Sequence, residues 1–349
     1  MRAEAADRES AQVAIVRDGE PILDWMADGE ARLPIELMSC TKMIVALAAG
    51  AALGDEAVEL LDVAVAELVP AWTHLPTSVT LANLLAHHTG LVPIPAFEVY
   101  RADDIVTQAL GLDHDESRVG AHTYNNSAIN LVAALVQERR GRPFRDLADE
   151  ALFSPLGWGD WRWHGDDAGN PYCFAGIEAN ARDAAMAAAL LIDDPKGVLP
   201  SGWAEAVINR RLSCYGQVDR FELELTAALR DQWVAAGVDP LIVAALNPLV
   251  DQPVEYDRYF ESIAALLTTA GIAIEGWMAE IDGAGLPRGE RRIGQRIGHG
   301  HDGDGGQWLV VFPEQRAAAC RLRWITDATD RGGPASWSSF PGAVRGVLA

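Results

Sequence analysis

A serine and a lysine three residues apart, Ser39 and Lys42, form the first pair of side chains in this sequence that could do chemistry. Residues three apart share a face of a helix, so the serine hydroxyl and the lysine amine can meet there. A neutral amine can take the hydroxyl proton and turn the serine into a nucleophile. A serine in the first turn of a helix also lies near the positive end of the helix dipole, which stabilises negative charge.

The rarity of lysine makes this pair more informative than its spacing alone. A Ser-x-x-Lys match is expected about once by chance in a chain of this length. Here, however, only Lys42 and Lys196 are lysine among 28 basic residues. The apolar run at 43–53 should bury Lys42 and lower its pKa, because burial disfavours the charged amine. Arginine could not act as a base in its place, since a guanidinium stays protonated in proteins.

A second group of polar side chains, Tyr124 and Asn126, lies at the start of a predicted helix. A tyrosine beside a lysine can share or relay a proton, and an asparagine amide can orient a carbonyl group or the lysine. A buried tyrosine in a helix N-terminal turn is the purely structural alternative. The residues of this segment alone do not decide between the two.

A glycine-rich stretch at 301–307 leads into a predicted strand near the end of the chain. Glycine lets a backbone N–H approach a ligand closely, so an N–H here and that of Ser39 could form an oxyanion hole. The histidines at 299 and 301 raise a metal-site alternative. Gly303 and Asp304 stand where a His-x-His-x-Asp-His zinc motif needs aspartate and histidine, however. We predict no metal and no cofactor.

The elements that must position these residues are strands at both ends of the chain and helices in its middle. Alternating apolar residues predict a hairpin at 11–26, and β-rich runs at 307–312 and 318–325 predict another. Helical spacing covers 39–54, 56–69, 78–88, 126–139, 176–193, 203–213, 221–236, 257–269 and 335–348. We predict an α+β fold: an antiparallel sheet built from both chain ends, flanked by helices, with an inserted all-helical domain.

The predicted domains follow from this order of elements. A mixed sheet domain combines residues 1–60 and 290–349, and a helical domain covers 61–200. A helix-rich insertion, whose place in the fold the sequence does not indicate, covers 201–289. A chain of 349 residues is long enough for two domains or for one domain with a large insertion.

Composition and charge narrow the possible partners and the cellular location. With 50 acidic and 28 basic residues, the net charge of −22 disfavours nucleic acid and anionic membranes, because phosphate binding needs a basic face. The first ten residues hold no apolar signal core, and no apolar run is expected to reach membrane-spanning length. The four cysteines are scattered, which predicts reduced thiols. We expect a cytoplasmic protein with a small-molecule substrate; the sequence does not indicate its oligomeric state.

Several segments, in a shared order and spacing, resemble the serine β-lactamase and penicillin-binding-protein superfamily. The resemblance is to its class C-like branch of esterases, peptidases and acyltransferases. The segment at 84–91 looks like that branch's Leu-Leu-x-His-x-Ser-Gly-Leu, and 124–126 looks like its Tyr-x-Asn. Residues 155–157 are similar to its Pro-Leu-Gly, and 181–183 to part of its Thr-Ala-Arg-Asp stretch. Residues 301–303 stand where the family has Lys-Thr-Gly or His-Thr-Gly.

The resemblance implies a serine hydrolase that acts on an ester or an amide through an acyl-enzyme. Ser39 would be the nucleophile, with Lys42 and Tyr124 as the base and proton relay. The substrate-binding and oxyanion residues would be Asn126, His301, Gly303 and Asp304. The backbone N–H groups of Ser39 and Asp304 would bind the oxyanion.

Two features depart from the family pattern. His301 replaces the cationic lysine that meets a substrate carboxylate, and Asp302 and Asp304 add negative charge beside it, so we expect a neutral or cationic substrate. Residues 205–290 are predicted to be mostly helical where the family places strands and a pocket wall. Two functional alternatives stay open: an acyltransferase that uses a small amine or alcohol as acceptor, and a catalytically inactive member that binds a ligand.

Overall fold

The structure, a computed structural model, describes residues 1–27, 32–212, 217–325, 337 and 339–349. It divides into two compact units. The first comprises Met1–Gln217, Gly298–Ser336 and Leu348, and the second Val218–Ile297, Trp337–Val347 and Ala349. The predicted sheet domain and the predicted helical domain 61–200 lie mainly in the first unit, because their apolar residues share one core. Most of the predicted insertion 201–289 lies in the second unit.

Strands from both ends of the chain build the main sheet of the first unit. Its strands are β1 (Gln12–Arg17), β2 (Glu20–Met26), β8 (Glu290–Gly303, from Gly298 onward in this unit), β9 (Gln307–Phe312) and β10 (Ala317–Leu322). They are antiparallel in the order β2-β1-β10-β9-β8. Gln12 pairs with Leu322, and Gly303 pairs with Gln307. The predicted α+β fold with a sheet built from both chain ends is therefore confirmed.

Both predicted hairpins are present in this sheet. The turn between β1 and β2 contains Asp18 and Gly19, whose φ angles are 51° and 78°. Two consecutive positive φ angles are what a two-residue hairpin turn of matching twist requires, and Asp-Gly supplies them with little strain.

A smaller sheet consists of β3 (Ile35–Glu36), β4 (Arg162–Trp163) and β5 (Ile177–Ala179) in the order β3-β5-β4.

The helices of the first unit lie between the N-terminus and residue 209. They are α1 (Arg2–Asp7), α2 (Thr41–Leu53), α3 (Val65–Leu68), α4 (Leu81–Ala86), α5 (Ala96–Val99), α6 (Ile105–Leu110), α7 (Asn130–Arg140), α8 (Phe144–Ala148), α9 (Ser154–Leu156), α10 (Ala181–Ala189) and α11 (Trp203–Asn209). A π-helical turn, Asp149–Phe153, joins α8 to α9.

Helix α2 lies at the centre of the first unit. Every residue from Thr41 to Gly50 is buried. The helix packs against α7 and α10, and α10 in turn packs on β1 and β10. Because the helix is surrounded by protein, its polar residue Lys42 must find its hydrogen-bond partners inside the core.

Two parts of the described chain have the length and composition of a membrane span. Met38–Glu56 has 19 residues with a mean hydropathy of 1.2, and the pair Arg258–Thr269 and Ile274–Gly283 qualifies jointly although it is bent by 111°. The expectation that no apolar run reaches spanning length was therefore wrong for 38–56. Of this segment's apolar window 67% is buried inside the protein, as expected for the central helix of a core.

The second unit contains mainly helices, together with β6 (Gln217–Glu224, from Val218 onward in this unit), the short strand β7 (Val254–Glu255) and residues 290–297 of β8. Its helices are α12 (Ala227–Ala235), α13 (Pro240–Leu246), α14 (Tyr256–Thr269), α15 (Ile274–Gly283) and α16 (Phe340–Leu348). The predicted helix at 221–236 was wrong in its first residues, because Glu222 and Leu223 pair with β7. Leu223 and Leu225 alternate with acidic residues there, which is the two-residue period of a strand. On α12, Leu229 and Trp233 are buried and belong to the core of the second unit.

Candidate active site

Ser39 lies in a short 3-10 turn, Met38–Cys40, that leads directly into α2. Its side chain is partly buried. The preceding residue, Met38, has a φ of 49°, which a residue with a side chain seldom adopts. Such a conformation persists only where surrounding contacts impose it. The turn therefore holds the Ser39 hydroxyl in a fixed orientation at the N-terminus of the core helix.

Lys42 lies in the first turn of α2 and is 0% exposed. Its Nζ atom lies 3.3 Å from Ser39 Oγ and donates a hydrogen bond to the Phe174 carbonyl oxygen at 2.7 Å. Burial lowers the pKa of the amine from 10.5 to about 7. The neutral amine, which is able to accept a proton, is therefore accessible near neutral pH.

Tyr124 reaches the same oxygen from a segment 85 residues away in the chain. Its phenol O–H donates a hydrogen bond to Ser39 Oγ at 2.9 Å. Lys42 Nζ lies over the tyrosine ring, 4.6 Å from its centroid. The structure thus brings together three of the residues predicted from the sequence, Ser39, Lys42 and Tyr124, around one hydroxyl group.

A histidine after α4 positions the tyrosine segment. His87 is buried and has a left-handed φ of 59°. Its Nδ1 atom accepts a hydrogen bond from the Asn125 backbone N–H at 3.2 Å, and its ring packs on Tyr124 with centroids 4.9 Å apart. The Asn125 side chain donates to the Leu91 carbonyl at 3.0 Å. The segment 87–91 therefore holds the Tyr124 ring in position beside Ser39.

Asn126 follows directly and is partly buried. Its backbone carbonyl accepts a hydrogen bond from Asn130 Nδ2 at 2.8 Å. Its side-chain Oδ1 atom is buried and has no hydrogen-bond partner in the described chain. A buried acceptor left unpaired costs free energy, so Asn126 Oδ1 is suited to receive an N–H group of a ligand.

His301 and Gly303 lie at the end of β8, facing the Ser39 turn. His301 is 2% exposed, and its ring centroid lies 6.2 Å from that of Tyr124. Burial, helped by the neighbouring Lys42, lowers the pKa of the imidazole from 6.5 to about 3. His301 is therefore neutral at physiological pH and does not supply the positive charge that a lysine would.

Gly303 is required by the close approach of β8 to the segment that precedes Ser39. A Cβ atom at this position would lie 2.8 Å from the Leu37 carbonyl oxygen and 3.1 Å from Met38 Cβ. Asp304 comes next and opens a turn, Asp304–Gly306, which we call the glycine turn. The predicted oxyanion residue Asp304 thus directly follows Gly303, which lies against residues 37–38. Asp302, which precedes Gly303, is exposed.

Two contacts of the site could not have been predicted from the sequence. The Phe174 carbonyl that accepts from Lys42 is a backbone group, so no residue type marks it. Cys40 donates a weak hydrogen bond from Sγ to the His301 carbonyl at 3.1 Å and so ties the Ser39 turn to β8. Cys173 and Cys320 are also buried free thiols, and Cys214 lies outside the described residues. Within the described residues, no three His, Cys, Asp or Glu side chains are grouped to hold a metal ion.

The pH dependence of acylation should report the Lys42 amine. Because the neutral amine is the form that accepts a proton, the acylation rate should rise as pH increases through about 7 and then level off. Single-turnover rates between pH 5 and 9 on an uncharged ester would measure this. His301 titrates near pH 3 and cannot produce the same inflection. A rate that is flat or falling across pH 7 would contradict the role given to Lys42.

Comparisons with known proteins agree with this fold. The sequence matches the Beta-lactamase family over residues 2–322. Similar solved structures include a putative 6-aminohexanoate-dimer hydrolase from Bacillus anthracis (14% identity, TM-score 0.64, covering 100% of this chain and 81% of that one). A family VIII carboxylesterase has 14% identity and a TM-score of 0.59, with 99% and 97% covered. A class C beta lactamase from Rhodobacter sphaeroides has 16% identity and a TM-score of 0.52, with 99% and 97% covered.

At these identities the solved structures establish the fold alone. A search of curated sequences gave no significant match. The family match extends over nearly the whole chain, from α1 to the end of β10. It includes the Ser39 turn, the Tyr124 segment and the end of β8. The chain therefore belongs to the beta-lactamase family.

Proposed function

We propose that this chain is a serine hydrolase that cleaves an ester or an amide through an acyl-enzyme on Ser39. One observation carries the proposal: Lys42 Nζ and Tyr124 Oη lie 3.3 Å and 2.9 Å from Ser39 Oγ, and the lysine has a pKa of about 7. A nucleophile within reach of a base that is neutral at working pH is the arrangement that acyl transfer needs. Similarity in fold to a carboxylesterase and to an aminohexanoate-dimer hydrolase supports the ester or amide class.

In the acylation step, the Ser39 hydroxyl proton passes to the Lys42 amine as Oγ attacks the substrate carbonyl carbon. The carbonyl oxygen becomes an oxyanion, for which the Ser39 and Asp304 backbone N–H groups are the proposed donors. Tyr124 then gives a proton to the departing oxygen or nitrogen and recovers one from the Lys42 ammonium, whose Nζ lies above its ring. The leaving group departs as a neutral alcohol or amine, and the acyl group stays on Ser39.

In the deacylation step, water takes the place of the leaving group. The Lys42 and Tyr124 pair removes a proton from the water, which attacks the acyl carbon. The bond to Ser39 Oγ breaks, the serine recovers its proton, and the acid product leaves. The buried Asn126 Oδ1 atom is the proposed acceptor for a substrate N–H. Both steps use groups of this chain and water.

The charge at the end of β8 supports a neutral or cationic small-molecule substrate. His301 is neutral at physiological pH because burial lowers its pKa to about 3. The next residue, Asp302, is acidic and exposed. A carboxylate on the substrate would meet no cationic partner at His301 and a like charge at Asp302, which is unfavourable over a few ångströms. A positively charged or uncharged substituent would not meet this barrier.

Labelling by a fluorophosphonate tests the proposed nucleophile, since such probes phosphonylate activated serines. We expect stoichiometric labelling of the wild-type protein, with the modified peptide containing Ser39, and no labelling of Ser39→Ala. The exposed Ser154 provides a matched control, because Ser154→Ala should label like the wild type. Competing esters that share one acyl group should protect Ser39 against labelling. The cationic ester should protect it most, the neutral ester less and the anionic ester least.

Two results would overturn parts of this proposal. Failure of the wild-type protein to label, or equal labelling of Ser39→Ala, would remove the acyl-enzyme mechanism. Stronger protection by the anionic ester than by the cationic one would leave the mechanism in place and refute the substrate class.

A further inference from the structure

Two arginines are buried at the end of β10, behind the glycine turn. Arg321 is 0% exposed and Arg323 is 3% exposed. Their positions differ by two, so both side chains leave the strand on the same side. A buried guanidinium is costly unless its N–H groups are paired, so the acceptors of these two arginines must be built into the fold.

The first set of acceptors is the backbone of the glycine turn. Arg321 Nη1 donates to the Gly306 carbonyl at 2.5 Å, and Arg323 Nη1 donates to the Gly305 carbonyl at 3.3 Å. These carbonyls belong to consecutive residues with φ angles of 75° and 86°. Glycine in this region has no side chain to restrict its peptide planes, so donors from outside the turn must fix them.

The second set of acceptors is the segment between α1 and β1. Arg321 donates to Ser10 Oγ at 2.8 Å and to the Arg8 carbonyl at 2.6 Å. Arg323 Nη2 pairs with the Glu9 carboxylate at 2.8 Å. Each guanidinium therefore connects the glycine turn to the N-terminal segment, and its planar fork has donors directed at both.

The backbone of Arg323 is fixed to the far end of the same turn. Gln307 Nε2 donates to the Arg323 carbonyl at 2.8 Å, and Gln307 Oε1 accepts from the Arg323 N–H at 2.8 Å. The side chain of Gln307 thus continues the pairing of β9 and β10 beyond the last backbone pair, Trp308 with Arg321. The arginine side chains and the turn that they bind therefore belong to one rigid corner.

We propose that Arg321 and Arg323 are positioning residues that hold the glycine turn so that the Asp304 N–H points at the oxyanion. The inference rests on the proposed acyl-enzyme function and adds two residues outside the Ser39, Lys42 and Tyr124 group. A donor is effective only where the oxyanion forms, and a displacement of about 1 Å can cost roughly a hundredfold in rate. The hydrogen bonds from Arg321 and Arg323 to the Gly306 and Gly305 carbonyls oppose such a displacement.

The test replaces each arginine with lysine, which keeps a nitrogen donor on a similar stem and loses the planar fork. We expect Arg321→Lys and Arg323→Lys to lower kcat on an uncharged ester by roughly ten- to a hundredfold, with KM within about twofold. The second measurement is the rate ratio between this ester and its thiono analogue, whose developing sulfur anion accepts weaker hydrogen bonds. The ratio should fall by about tenfold in the variants, because a displaced donor no longer favours oxygen.

Two further variants separate positioning from folding. Glu9→Gln removes the carboxylate partner of Arg323, and 67% of this side chain is exposed, so the variant should fold and lose about threefold in kcat. Arg316→Lys is the matched control at the opposite end of the same hairpin, where its guanidinium pairs with Asp18 and Asp193. We expect Arg316→Lys to keep the wild-type kcat and ester ratio.

Each outcome has a distinct meaning. If the folded arginine and Glu9 variants keep the wild-type kcat and ester ratio, or lose only thermal stability, the positioning role is refuted while the proposed function stands. If a lysine variant fails to fold, the Glu9→Gln variant alone tests the positioning role. An unchanged rate ratio between the ester and its thiono analogue in Glu9→Gln would then refute that role. If the wild type shows no Ser39-dependent turnover, the proposed function and this inference both fail.

Discussion

Replacing Lys42 with arginine should slow acylation of Ser39 by roughly a thousandfold or more. The wild-type amine loses its proton easily because it is completely buried, with a pKa of about 7. A guanidinium remains protonated in proteins. Lys42→Arg therefore keeps a cation next to Ser39 Oγ but has no lone pair to accept the hydroxyl proton. Single-turnover kinetics and the rate of fluorophosphonate labelling measure the loss.

The chain offers a matched control for this substitution in its second lysine. Lys196 is exposed and donates to the Pro155 carbonyl at 2.7 Å, a bond that arginine can also make. Lys196→Arg should therefore have wild-type kinetics. Circular dichroism and thermal melting must show that Lys42→Arg is folded, since a permanent charge in a buried site costs stability. Near-wild-type turnover of the folded Lys42→Arg variant would refute the base role.

Removing the Tyr124 hydroxyl should lower kcat by about a hundredfold or more. In Tyr124→Phe the ring stays, so its packing against His87 and the position of Lys42 Nζ over it should persist. The hydroxyl that donates to Ser39 Oγ at 2.9 Å is lost, and with it the proposed route for a proton to the leaving group. Steady-state kinetics on a series of esters would measure the effect.

The dependence on the leaving group makes this prediction specific. An ester of an acidic phenol needs no proton on departure, so Tyr124→Phe should slow it far less than an alkyl ester or an amide. Tyr259→Phe is the matched control, because this buried tyrosine donates its hydroxyl to the Arg288 carbonyl at 2.8 Å within the second unit. It should cost about 1 kcal/mol of stability and leave kcat unchanged. An equal loss on all leaving groups would show that Tyr124 does not act as an acid.

Much of the fold followed from local patterns in the sequence. The hairpin at 11–26 and the β9–β10 hairpin were predicted from the two-residue period of strands. The helix from 39 onward was predicted from its apolar composition, and it is present as the Ser39 turn followed by α2. Residues 221–224 were wrongly predicted to be helical. They form a short stretch of alternating apolar and acidic residues next to a helix, and the helical period of that helix was extended over them.

By itself, the sequence determined which groups of this protein could do chemistry. The i and i+3 spacing of Ser39 and Lys42 places a hydroxyl and an amine on one face of a helix, because the helical repeat is fixed by backbone geometry. The choice of lysine in a chain otherwise rich in arginine indicated a group that must lose its proton. Neither conclusion needed knowledge of distant contacts.

Only the tertiary structure decided whether those groups meet and in what state of charge. Tyr124 reaches Ser39 across 85 residues, and Lys42 Nζ donates to the carbonyl of Phe174, 132 residues away. The pKa of about 7 comes from the complete burial of the amine, since desolvation depends on everything packed around a group. The arginines behind the glycine turn depend on the same physics: their role is set by which carbonyls the folded chain brings within reach, and residue type does not encode that.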